Sequence, residues 1–175
     1  MKRALIAFLV VASTIQVFAQ GAEEKTSQRW FPLQLAIIPE VQIADRSTMI
    51  DGIKLNLWCG RNDRVNGVDL GVFSGCDDIT GVQVNVANYV ENKVEGIRIG
   101  VLNGAKDVTG FSAGVVNWND GALKGIAVGL VNVSDEVAGL QIGVFNYCRR
   151  LGGVQIGLIN ISTEKTVKFF PIVNI

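Results

Sequence analysis

From residue 52 onward, hydrophobic residues alternate with other residues in short segments that recur every 14 or 15 positions. Each segment opens with an octet, such as GVQVNVAN or GLQIGVFN, whose second, fourth and sixth residues are almost always Val, Ile, Leu or Phe. A period of two is typical of a β-strand, so we expect these even places to lie on the buried face. Six or seven mostly polar residues follow each octet. The pattern predicts an all-β repeat protein.

Glycine opens every segment, and asparagine usually closes the octet. Glycine at the first place indicates a positive φ or a close approach of two backbones. Asparagine at the eighth place suits a turn, and stacked repeats would join these side chains in a ladder of amides. The fifth place is Gly or Asn, which indicates a bulge or a need for a small residue. The recurring residues are Gly52, Gly67, Gly81, Gly96, Gly110, Gly125, Gly139 and Gly153, with Asn88, Asn103, Asn117, Asn132, Asn146 and Asn160.

The segments must stack on one another, because the few aliphatic side chains of one segment do not outweigh the conformational entropy of ordering it. In a β-solenoid each segment is one coil, and equivalent places stack in parallel. In an antiparallel β-meander or barrel each octet is one strand. The even linker lengths and the glycine and asparagine columns favour an all-β solenoid of about eight coils with short terminal caps. The antiparallel meander or barrel stays the alternative.

The first nineteen residues have the composition of a secretory signal peptide. Lys2 and Arg3 precede an apolar run at residues 4–12, and Val17-Phe18-Ala19 suits cleavage before Gln20. Nine consecutive apolar residues are fewer than the ~20 that a spanning helix needs. Cleavage would remove two of the 16 basic residues and none of the 16 acidic ones, leaving a net charge of −2. We expect Sec-type export to the periplasm, outer membrane or cell surface.

Changes in composition along the chain predict where its parts begin and end. A polar stretch precedes two proline-broken strands, and an apolar strand, VKFFPIVNI, follows the repeats. The predicted parts are the signal peptide at 1–19, a disordered lead-in at 20–29, N-terminal cap strands at 30–51, the eight-repeat array at 52–166 and a C-terminal cap strand at 167–175.

The segments PLQLAIIPEVQI, GIKLNLWCGRNDRVNGVDLG and FPIVNI, together with the tandem GxQxGxxN octets, resemble a family of bacterial surface-exposed repeat proteins known from Leptospira. The resemblance covers residues 31–175. It implies a cell-envelope or surface location but no activity or ligand, so it carries over no functional residue. Many members look like lipoproteins, whereas no cysteine follows the apolar run of this chain.

Composition also reduces the number of activities that the chain could have. Sixteen basic residues balance sixteen acidic ones, which indicates no nucleic-acid partner, and the absence of histidine removes the commonest general base and metal ligand. No catalytic, metal or cofactor motif emerges. Cys59 and Cys76 occupy the eighth and tenth places of consecutive segments and are the candidate disulfide, which would leave Cys148 free.

Two further columns have competing interpretations. Acidic residues recur in the linkers, where a solvated turn edge is favoured over calcium binding because no linker has the dense acidic and glycine pattern of a calcium roll. The seventh place is apolar in every octet and would form an exposed stripe, unless a bulge at the fifth place buries it. The seventh-place residues are Trp58, Phe73, Ala87, Leu102, Val116, Val131, Phe145 and Ile159.

These observations predict an exported, non-catalytic envelope or surface repeat protein that is structural or binds a macromolecule, as an adhesin does. We expect no cofactor and an unidentified envelope partner, with peripheral membrane association left open. A glycan-processing β-helix enzyme is one alternative, but it needs paired acids on one face, and Asp69 is the only acid at the third place of an octet. A small outer-membrane β-barrel is the other.

Overall fold

The computed structural model describes residues 30–38 and 41–175, and this part of the chain is built from β-strands without a helix. The predicted signal peptide at 1–19 and lead-in at 20–29 lie outside it. The strands are β1 (Trp30–Ile38), β2 (Val41–Gln42), β3 (Met49–Ile99), β4 (Leu102–Ala113), β5 (Val116–Val128), β6 (Val131–Val137), β7 (Leu140–Leu151), β8 (Val154–Ser162) and β9 (Phe169–Asn174).

Consecutive repeats pair in parallel and in register. The third octet place stacks on itself, with Arg98 opposite Ser112, then Ala127, then Gln141, then Gln155. Parallel stacking of like places is the defining property of a β-solenoid, so the all-β repeat solenoid is confirmed. The antiparallel meander or barrel is wrong, because its neighbouring strands would run in opposite directions.

Each repeat contributes two strand segments joined by a corner. The A segment runs from the aliphatic residue of the linker to the fourth octet place, and the B segment covers the seventh to tenth places. The corner lies at the fifth and sixth places, since β4 ends at Ala113 and β5 begins at Val116. The two segments face each other across the interior, where Ser112 Oγ on one donates to Asn117 Oδ1 on the other at 2.9 Å.

The first-place glycines let successive repeats approach closely. Gly110 has a φ of 133°, and a Cβ there would lie 2.1 Å from the carbonyl oxygen of Gly96. The same contact continues back through Gly81 to Gly67, so stacking extends into the long β3. The solenoid has about five turns, fewer than the eight predicted coils. The first repeats are not divided into separate turns because they lie within the single long strand β3.

Antiparallel strands close both ends of the array. β1 pairs in parallel with β3, with Gln34 opposite Lys54, so it continues the solenoid. β2 then turns back antiparallel on β1. At the other end β9 pairs antiparallel with β8, with Asn174 opposite Gln155. These pairings cover the edges that an open parallel stack would leave exposed.

The predicted burial of the even octet places is wrong. Ala127, at a third place, is fully buried, whereas Val128 is half-buried on the outer side, although it stacks between Ala113 and Ile142 as expected. The reason lies in the linker aliphatic residues. Val108 and Ser112 are four residues apart in β4 and share one strand face, so placing Val108 inside turns the even places outward.

Candidate functional site: the apolar outer surface

The sixth octet places form an exposed apolar row along the corner between the A and B segments. Seven of its eight members are more than 40% exposed, and the remaining one, Val72, is half-buried. We call this row the apolar ridge. Its members are Leu57, Val72, Val86, Val101, Val115, Leu130, Val144 and Leu158.

The two faces that meet at the apolar ridge are also apolar. On the A segment, every residue at the second and fourth places is exposed or half-buried, including Ile97 and Ile99 at 43% each. On the B segment, the seventh-place column lies on the outer side and is only partly covered: Trp58 is 60% exposed, whereas Ala87 is buried. Trp58 also packs edge to face on Phe73 of the next repeat, with ring centroids 5.5 Å apart. The apolar surface therefore continues on both sides of the corner.

Aromatic residues with polar atoms lie at the ninth place, between the apolar surface and the linkers. They are Tyr89, Trp118 and Tyr147. Trp118 is 47% exposed. The pKa of Tyr89 is raised by partial burial of its ring and by the nearby carboxylates of Glu91 and Asp120. This column is the boundary between apolar and charged surface.

Charged residues occupy the linker corner, opposite the apolar ridge, where they pair between coils. Arg149 binds Asp135 through two hydrogen bonds of 2.6 and 2.7 Å, which lowers the pKa of that carboxyl, and Arg150 binds Glu136 at 2.7 Å. Near the other end, Arg61 lies 2.5 Å from Glu91. Across residues 30–38 and 41–175, His, Cys, Asp and Glu form no cluster of three or more that could hold a metal ion. The linker acids thus lie on an edge of paired charges.

The interior contains the amide ladder that the asparagine column predicts. Asn103 Nδ2 donates to Asn117 Oδ1 at 2.9 Å and to the backbone oxygen of Ala113 at 2.8 Å. The same two bonds recur at each step from Asn88 to Asn146, and the last amide, Asn160, donates to the Gly157 carbonyl. The ladder satisfies polar side chains that the narrow interior encloses.

An ion pair lies inside the first repeats. Lys54 and Asp69 are fully buried, with Nζ and Oδ2 3.9 Å apart. The Asp69 carboxylate also accepts hydrogen bonds from Asn56, Ser74 and Gln83 at 2.5 to 2.9 Å. Asp69 is therefore enclosed within the solenoid, where a bound glycan would not reach it.

Arg98 is a third buried charged side chain, and it donates hydrogen bonds to neutral groups. Its Nε and Nη2 donate to Ser112 Oγ at 3.2 Å, and Nη2 also donates to Asn119 Oδ1 at 3.2 Å. Nη1 is buried without a hydrogen-bond partner. Burial lowers the pKa of the guanidinium to about 10. The side chain occupies the third octet place, where the other repeats have Lys, Asp, Gln, Ser or Ala.

The predicted disulfide between Cys59 and Cys76 is wrong, since neither cysteine is in a disulfide. Cys76 points inward, and burial raises the pKa of its thiol to about 12. Cys59 precedes Gly60, where a Cβ would point inward to meet Asn56. Because side chains alternate along a strand, Cys59 lies on the opposite side from Cys76. Cys148 is also buried.

Comparison with known proteins leaves the assignment of function to the geometry of the chain itself. The chain matches no protein-family model, no curated protein and no solved structure. In the part of the chain that the structure describes, no helix has the length and apolarity needed to cross a membrane. The outstanding feature is the apolar outer surface. Sequence reasoning raised its seventh-place column as an exposed stripe but missed its second, fourth and sixth places, because it assigned them to the interior.

Proposed function

We propose that this protein is an exported, non-catalytic repeat protein of the cell envelope or cell surface, and that its apolar outer surface is its binding surface. The observation that carries the proposal is the exposure of the even octet places. Fifteen residues at these places are each more than one-third exposed. Together they expose on the order of 1,000 Å², beyond the ~300–600 Å² of the largest apolar patch on a typical monomer.

A surface of this size is costly to leave in water, so its presence in every repeat favours a binding role. The surface runs without interruption along the array, which suits an extended partner rather than a compact substrate. The envelope location is supported by the signal-like composition of residues 1–19 and by the resemblance of residues 31–175 to surface repeat proteins.

The distribution of carboxylates supports a binding role over the glycan-processing alternative. A glycosidase needs two accessible carboxyl groups facing one sugar. Asp69 is enclosed, and Asp135 and Glu136 are each held by an arginine of the next coil. These groups serve the stacking of coils.

The test is cell fractionation of wild type against two triple variants. Val86→Asp, Val101→Asp and Val115→Asp add three charges to the apolar ridge. The matched control, Thr80→Asp, Asn92→Asp and Thr109→Asp, alters exposed places outside the ridge in the second, third and fourth repeats. We expect wild type and control in the envelope fraction and the ridge variant in the soluble fraction. Cytoplasmic wild-type protein, or a ridge variant retained like the control, would contradict the proposal.

A further inference from the structure

The chemistry of the apolar outer surface is uniform along the whole array. The second, fourth, sixth and seventh octet places contain only apolar residues in all eight repeats. A protein-binding surface concentrates its affinity in a few aromatic or arginine anchors within complementary pockets. Most of these side chains are aliphatic and recur from coil to coil, which instead suits a partner that needs apolarity without a particular shape.

The apolar ridge is convex, because it lies on the corner where each A segment turns into its B segment. Leu102 and Val116 begin B segments on one side of that corner, and Ile99 and Ala113 end A segments on the other. Each flank is a sheet face, but a second copy packed on one flank would leave the ridge and the other flank in water, so one partner covers the whole surface only if it follows the corner. The same shape inserts readily into a deformable apolar medium.

The backbone at the ridge is already hydrogen-bonded between coils. The amide of Val101 donates to the Val86 carbonyl at 2.8 Å, and the amide of Val115 donates to the Val101 carbonyl at 2.9 Å. Leu130 and Val144 continue the series at 3.0 Å. Groups inserted into hydrocarbon must be satisfied within the protein, since no water is available there. The amides of these four ridge residues meet this requirement.

On the B-segment side of three coils, polarity changes in the order that a membrane surface requires. The apolar ridge and its flanks come first, followed by Tyr89, Trp118 and Tyr147, and then by the charged linkers. Tyrosine and tryptophan favour the boundary between hydrocarbon and water because one end of each side chain is apolar and the other polar. The paired charges of Arg149 and Arg150 lie on the far corner.

We propose that the protein binds a lipid bilayer with its solenoid axis parallel to the membrane plane. The apolar ridge then enters the acyl region, the ninth-place aromatics lie at the interface, and the linker corner faces water. This inference rests on the proposed function, since it names the partner of the same surface. Because the charged residues lie away from the lipid, binding depends little on the charge of the headgroups.

The first test measures binding to vesicles of phosphatidylcholine alone and of phosphatidylcholine with 30% phosphatidylglycerol, using the two triple variants described above. We expect wild type and the control variant to float with both vesicles, with partition coefficients that agree within about threefold. We expect the ridge variant to lose at least tenfold in partition coefficient while its circular dichroism and melting temperature match those of wild type.

The second test locates the inserted edge. In a background carrying Trp30→Phe, Trp58→Phe and Trp118→Phe, single tryptophans are introduced as Val101→Trp on the ridge and Thr109→Trp outside it. Lipids brominated on their acyl chains should quench the fluorescence of tryptophan at 101 and leave that at 109 nearly unchanged. Equal quenching at both positions would overturn the orientation.

Two outcomes separate this inference from the proposed function. Wild-type protein that ignores vesicles but forms oligomers, which the ridge substitutions dissociate, would overturn lipid binding and leave the apolar surface as a binding surface for a second copy. Wild-type protein that neither floats with vesicles nor oligomerises, and whose envelope location is insensitive to the ridge substitutions, would overturn both.

Discussion

Replacing Ala127 by Asp places a carboxyl group inside the solenoid, whereas replacing Val128 by Asp places it on the outer surface. Ala127 is fully buried, between Ser112 and Gln141 of the adjacent coils, and Val128 is only half-buried. The two variants therefore have opposite consequences under the present fold. Their order would be reversed if the even octet places formed the core.

The magnitude follows from the pKa that burial imposes on the new carboxyl group. Full burial raises the pKa of an aspartic acid by about 3 units or more, and each unit is 1.36 kcal/mol, so Ala127→Asp should cost about 4 kcal/mol at pH 7. A raised folded-state pKa makes the cost disappear below the unfolded value of ~4 and reach its maximum above about pH 7. Val128→Asp should cost less than about 1.5 kcal/mol because water reaches that side chain.

Urea unfolding at pH 7 and pH 4.5 measures both effects. At pH 4.5 the loss for Ala127→Asp should shrink to about 1 kcal/mol, since its carboxyl group is then mostly protonated in the folded state. Ala127→Ser is the control, because Ser112 already occupies the same place in the neighbouring coil. A loss for Val128→Asp that equals or exceeds that for Ala127→Asp would refute the assignment of inner and outer faces.

Three other substitutions test the packing by thermal or urea unfolding. Gly110→Ala should destabilise by more than about 2 kcal/mol because the new Cβ would lie 2.1 Å from the carbonyl oxygen of Gly96. Gly152→Ala should change stability by less than about 1 kcal/mol, because its Cβ would lie 3.6 Å from the nearest atom, the carbonyl oxygen of Val137. Asn117→Leu should cost about 3 kcal/mol by leaving ladder groups unpaired, and Asn160→Leu, at the ladder end, should cost less. Arg98→Gln should raise the melting temperature, because it removes a buried charge; a lower one would contradict that view.

The stacking was predictable from the sequence because a solenoid repeats its neighbours. A glycine at the first place of every octet, as at Gly96 and Gly110, reports a backbone contact that recurs at each turn. The eighth-place asparagines likewise report a ladder, since each amide needs an identical partner one coil away. The glycine and asparagine columns therefore predict the register between coils, whichever face of each strand points inward.

The assignment of faces was not predictable from hydrophobicity within the octet. Val108 precedes its octet but belongs to the same strand as Ser112, and only the strand boundaries reveal that the two share a face. Burial of Ser112 also depends on Asn117 across the interior, which no local pattern contains. The prediction that Cys59 lies beside Cys76 was wrong for a related reason. Gly60 is the residue that points inward in the first repeat, so Cys59, one place before it, points outward.

The interior contains the linker aliphatic residues and the amide ladder, whereas the even octet places lie outside, and this separation affects how the protein tolerates substitution. The buried aliphatic residues, the amide ladder and the glycine contacts hold successive coils together, so the folded state depends less on the partly exposed side chains of the apolar ridge. Substitution of Val101 removes a side chain that is 47% exposed, whereas substitution of Asn103 breaks bonds in two neighbouring coils. The stabilising contacts of the interior and the proposed binding surface therefore lie on opposite sides of the coil wall, so under the proposed function a ridge variant would lose its partner while keeping its fold.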